Sequence, residues 1–154
     1  MIKRNATFVC GALLSTQLLA FPCTVTLVKD SCWTNFNVNM VVTDVQSGKP
    51  IMTISVPKGT SWNRGSFECQ PSQKIIYSAT FDPAIWEGTE GRVYNAQQYW
   101  ALPESFNSSQ KAWEIPVCFP SAFAEVPMPA TGSGNCICDF ASVPAIPPVI
   151  VPAS

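Results

Sequence analysis

Six cysteines, Cys23, Cys32, Cys69, Cys118, Cys136 and Cys138, carry the clearest chemistry in this 154-residue chain, and a seventh, Cys10, stands apart near the N-terminus. Thiols in such numbers serve disulfides, a metal or nucleophilic catalysis, and the chain has no histidine to assist the last two. Without imidazole there is no Ser-His-Asp or Cys-His nucleophile, no neutral-pH general base of that type and no His-ligated zinc. A zinc site built from cysteine alone wants C-x-x-C pairs, which are absent, and Cys136-Ile137-Cys138 offers too few ligands. Neither a metal nor a cofactor is expected. Disulfides remain: six thiols pair as three, and a ring closing Cys136 directly on Cys138 is strained. Those two are therefore expected to reach different partners, while Cys23 or Cys32 and Cys69 staple neighbouring strands.

Carboxylates are the next candidates. Asp82, Glu87 and Glu90 share the stretch Asp82 to Arg92 (DPAIWEGTEGR) with Trp86. Two carboxylates about 5 to 10 Å apart suffice for glycoside hydrolysis. Nothing in their spacing forces convergence, no Asp-x-Asp-x-Asp calcium loop is present, and so small a domain leaves little room for a cleft. They are expected to be solvating charges, with no catalytic residue in the chain. Among five tryptophans, Trp33 and Trp62 adjoin or open strand-like segments and are expected in the core, whereas Trp86 and Trp100 fall outside the clear strands. These two are the candidate partner-binding aromatics, as interface anchors or, alternatively, as the platform of a secreted carbohydrate- or ligand-binding module.

The compartment follows from the N-terminus. Lys3 and Arg4 precede an apolar run from Ala6 to Leu19 that is too short for a membrane span and is closed by Phe21-Pro22. Residues 1–20 are expected to be a secretory signal cleaved after Ala20. Cys10 leaves with it, so an odd cysteine count becomes an even one. Lipidation of Cys23 is the rival reading; Pro22 occupies the place where a lipoprotein signal wants Gly, Ala or Ser, and five remaining thiols would leave one unpaired. The mature chain carries seven basic against ten acidic residues. With a pI near 5.3, it lacks the clustered cationic surface that nucleic acid requires.

The elements that must position these residues read as strands. Thr24 to Val28 alternates small-polar and apolar residues; Lys29-Asp30-Ser31 reads as a turn and Cys32 to Val45 as a strand, strictly alternating over Phe36 to Met40. A turn at Gln46 to Pro50 and the return strand Ile51 to Val56 complete a hairpin. Ser61 to Cys69, with a kink at Gly65, and Lys74 to Phe81 follow; Tyr94 to Trp100 reads as one turn or a short helix, and Ala112 to Cys118 as a last strand that Pro116 confines to an edge or an end. Hydrophobic residues at 47% exclude global disorder. The fold class is all-β: residues 21–118 form a small antiparallel β-sandwich stapled by disulfides. Residues 119–154 form a Pro-rich, mostly irregular segment ending in the apolar run Val143 to Pro152. That run is preorganised as polyproline II and too apolar to stay bare, so Ile146, Val149, Ile150 and Val151 are expected to dock in a groove of this domain or of a partner.

The hairpin opening at Cys32-Trp33 and the stretch Val56-Pro57-Lys58-Gly59-Thr60-Ser61-Trp62 resemble small secreted β-sandwich proteins over residues 23–81. Taken whole, the signal, six mature cysteines, low charge and apolar Pro-rich tail are similar to the small exported accessory subunits of the outer-membrane core complex of the Dot/Icm type IVB secretion system. That resemblance implies a non-catalytic structural subunit, periplasmic or associated with the outer membrane, whose partners are other envelope proteins. It carries over no functional residues.

Overall fold

A computed structural model describes residues 20–104, 113–130, 132 and 134–146, with the backbone alone at Trp113. The expected signal segment, apart from its last residue, and Val149, Ile150 and Val151 lie outside the described residues. Eight strands form two sheets: β1 (Phe21–Lys29), β2 (Asn37–Asp44), β3 (Pro50–Val56), β4 (Trp62–Cys69), β5 (Lys74–Asp82), β6 (Tyr94–Asn95), β7 (Trp100–Ala101) and β8 (Trp113–Phe119). One sheet runs β4-β1-β8; the other runs β3-β2-β5-β6, with β7 also pairing β5. This is the disulfide-stapled all-β sandwich that the alternation predicts. One pair departs from the antiparallel rule, since β8 lies parallel to β1, with Val25 opposite Ile115 and Val28 opposite Cys118.

Period-2 alternation decides what each strand buries. Val38, Met40 and Val42 of β2, Ile75, Tyr77, Ala79 and Phe81 of β5, and Ile115, Val117 and Phe119 of β8 point into one core. Trp33 is fully buried at its centre, with ring centroids 4.7 Å from Phe36 and Phe81 and 4.8 Å from Phe119. It stands there because Ser31–Trp33 is a 3-10 turn, capped by Asp30, whose carboxylate accepts from Cys32 N at 2.9 Å. The strand expected from Cys32 therefore starts only at Asn37. Trp62, expected in the core, is half-buried on the outer face, where the Arg64 guanidinium sits 5.4 Å from its ring centroid.

Three other expectations change. Tyr94 to Trp100 is not helical: it gives two two-residue strands, one against the middle of β5 and one against its start. Gly65 does not kink β4, which stays in register with β1 there. A side chain at Gly65 would run into Met52 and Ile54 of β3, so glycine allows the two sheets to approach closely at that corner. Finally, β1 has no wet face. Cys23, Val25 and Leu27 enter the core, yet Thr24, Thr26 and Val28 on the opposite face are 3%, 0% and 1% exposed.

The C-terminal segment 134–146, a strap without regular secondary structure, reaches that face at Val28, whose carbonyl oxygen lies 3.3 Å from Cys138 Sγ. Cys136 is bonded to Cys32 and Cys138 to Cys118 on the outward face of β8, so the two neighbouring cysteines have different partners. Ser31 N donates to Ile137 O at 3.3 Å, and Arg64 Nη2 donates to Pro144 O at 2.8 Å. The third disulfide, Cys23–Cys69, staples the adjacent strands β1 and β4. Three such bonds form and persist in an oxidising environment, which places the folded domain in an extracellular or periplasmic setting.

Candidate functional site: a strapped groove at the open edge of the sandwich

Along β5, β6 pairs only Ser78 and Ala79, and β7 pairs only Lys74 and Ile75. Between them the chain leaves β5 at Gln97, Gln98 and Tyr99. Gln97 turns toward the reversal that follows β8: its backbone N donates to Ala122 O at 3.1 Å, and its Nε2 donates to Ser121 O and Phe123 O at 3.2 and 3.1 Å. The interrupted edge and the edge of β8 that no described strand pairs both border a groove of about 640 Å³, within the range of ligand sites. Tyr77, Gln97, Gln98 and Trp100 line one side and Glu114, Pro116 and Cys118 of β8 the other. The strap adds Phe140, Val143, Pro144 and Ala145. Because Cys118 is bonded to Cys138, this wall is fixed covalently.

The groove is nearly neutral. Glu114, its one carboxylate, is held by Arg64 Nη2 at 3.2 Å and accepts from Thr26 Oγ1 at 3.2 Å. Arg64 reaches inward through Nε to Thr26 Oγ1 at 2.9 Å, so one guanidinium links β4, β1, β8 and the strap. Burial lifts the Tyr77 phenol above its ordinary pKa, and the neighbouring Trp100 indole pulls the other way. Trp100 Nε1 lies beside that hydroxyl, shielded from solvent and without a fully aligned hydrogen bond.

The sequence candidates divide accordingly. Trp100 lines the groove and Ile146, half-buried, follows its strap wall. Trp86 is 63% exposed on the loop after β5. Trp100 pairs with Ile75 at the start of β5, whereas the Trp86 loop leaves from its end, roughly 23 Å away along the strand. The strand therefore separates the two tryptophans instead of joining them in one platform. Asp82 accepts from Asn37 Nδ2 at 3.0 Å, Glu90 accepts from Gly88 N within its own loop, and neither these nor Glu87 lines the groove. Asp30, Cys32 and Cys136 offer ligand atoms within 4.8 Å of one another, but both sulfurs are taken up in their disulfide. Tyr77 and Gln97 are the groove residues that sequence reasoning missed. Tyr77 reads as an ordinary inward strand position, and only the gap between β6 and β7 brings it to the groove.

A buried lysine ends β1. Lys29 is 3% exposed, and its Nζ donates to Phe36 O at 2.7 Å and Pro57 O at 2.9 Å. Burial pushes its pKa down, and burial likewise pushes Asp30 up against the backbone N–H bonds that favour its charge. No helix among the described residues is long and apolar enough to cross a membrane. Set against known protein families, curated proteins and solved structures, the chain matches none of them.

Proposed function

We propose that this protein is a non-catalytic interaction subunit of a bacterial cell-envelope assembly, exported to the periplasm or the outer membrane and docking other proteins through its strapped groove. The observation that carries the reading is the groove itself, with one wall fixed by the Cys118–Cys138 bond. Its titratable groups are a phenol whose pKa burial raises and a glutamate paired with an arginine. Acid-base work needs a poised pair of groups; neutral aromatic and amide surface suits the desolvated centre of a protein interface. Exposed Trp86, Tyr99 and Ile137, at 63%, 55% and 73%, offer further apolar contact. An outer-membrane core complex of the Dot/Icm type is a setting of this kind.

A photo-crosslinking residue at Gln98, in the full chain expressed in its native cell, tests this. The expected result is a discrete adduct with an envelope protein and co-migration with a high-mass envelope fraction. A protein that migrates at monomer mass without adducts would overturn the reading.

A further inference from the structure

The chemistry of the groove selects a class of occupant. Aromatic rings with few charges around them suit an extended, proline-rich segment, whose prolines pack on the rings. Trp100, Tyr77 and Phe140 supply rings. The chain itself contains a matching ligand. Pro147-Pro148-Val149-Ile150-Val151-Pro152 begins directly after Ile146, the last described residue, and no charged residue occurs after Asp139.

Access to the chain's own groove is opposed by stiffness. Pro144 and Ala145 already form the wall, and Arg64 holds Pro144 O at 2.8 Å. To enter the same groove, the chain would have to reverse at Ile146-Pro147-Pro148. Ile146 and Pro147 each precede a proline, which disfavours the turn-forming α region, and both prolines fix φ near the extended value. Extended as polyproline II, residues 147–154 would span about 25 Å, far enough to meet a neighbouring molecule. We propose that the groove receives the Pro147–Pro152 segment of a second copy of this chain. The contact is head-to-tail, so copies propagate as a closed ring or an open filament. It rests on the groove being a binding site, as in the proposed function, and adds the identity of the occupant.

The test uses purified, disulfide-bonded protein expressed from the whole chain, with no other envelope component present. Sedimentation velocity should show concentration-dependent self-association, and a stop after Ile146 should abolish it. Trp100→Phe trims the indole to a smaller ring and should weaken association about fivefold. Neither variant should associate well alone. Mixed together, the truncated chain still offers an intact groove and the Trp100→Phe chain an intact tail. A second mixture, with Gln98→Trp obstructing the groove of the tail-bearing partner, should therefore give one discrete heterodimer with the truncated chain. A full chain that stays monomeric at every concentration overturns the proposal, whether a synthetic Pro147–Ser154 peptide binds the truncated chain, which would mean docking within one molecule, or does not. If the truncated chain misfolds, the Trp100→Phe comparison in the full chain decides, and unchanged association would refute the assignment. An envelope adduct at Gln98 combined with monomeric pure protein would leave the proposed function standing and remove the self-docking inference.

Discussion

Replacing both Cys118 and Cys138 by alanine isolates what the strap contributes. Their bond closes a sequence separation of 20 residues, for which the chain-entropy relation gives about 3 kcal/mol at 25 °C. The strap also shields the outward face of β1, where Val28 is 1% exposed; uncovering that side chain adds about 1 kcal/mol, less than its full transfer value because β4 and β8 still flank it. The expected loss is about 4 kcal/mol, a large share of a typical domain's stability. Equilibrium urea unfolding, followed by tryptophan fluorescence with the other two disulfides verified by mass, should show the midpoint falling by about 2 M. The companion replacement of Cys32 and Cys136, separated by 104 residues, should cost about 1 kcal/mol more, because the loop it closes is longer. A loss under about 1 kcal/mol for the Cys118/Cys138 pair would show that the strap neither constrains the chain nor covers the sheet, and would refute the reasoning.

Two other perturbations probe the network beneath it. Arg64→Met removes the donor to Thr26 and Pro144 and should cost about 2 kcal/mol, with Arg64→Lys failing to restore it because an ammonium cannot span the same three partners; faster proteolysis within residues 139–146 is the second readout, and an unaltered cleavage rate would count against the strap being held there. Lys29→Met strips the donor from Phe36 O and Pro57 O and should destabilise by about 1–3 kcal/mol at pH 7. Its pH dependence has a definite sign: the folded-state pKa lies below 10.5, so the unfolded chain binds the proton more tightly. The wild type therefore gains stability as pH rises from the folded value to 10.5, and the deficit of Lys29→Met widens over that window. A deficit that narrows would reverse the assignment.

Much of the sheet was readable because each strand buries one face. Val38, Met40 and Val42 alternate with Asn37, Asn39 and Val41, and the hairpin from Asn37 to Val56 follows from that period and the turn between. The parallel pairing of β8 with β1 had no local signal, since it joins residues about ninety positions apart and depends on the whole sandwich being assembled. Tyr94 to Trp100 misleads for a related reason: two-residue strands are too short for periodicity and exist only because β5 offers an edge. For β1 the alternation is real and its usual meaning fails. Thr24 and Thr26 look like a solvated face, but Thr26 Oγ1 is taken by Arg64 and Glu114, so a buried hydroxyl is satisfied at little cost.

The groove depends on information that pairs distant residues. Cysteine count gave three disulfides, but the partners of Cys136 and Cys138 decide that the strap crosses β1 and flanks β8, and composition does not encode them. Once they are known, stability and the shape of the groove share one cause. The Cys118–Cys138 bond covers the outer face of the three-stranded sheet and sets the wall opposite Trp100. Reduction would open all three bonds, and with Cys118–Cys138 it would release the wall that the strap contributes. Oxidation is therefore a condition for the covalently fixed groove.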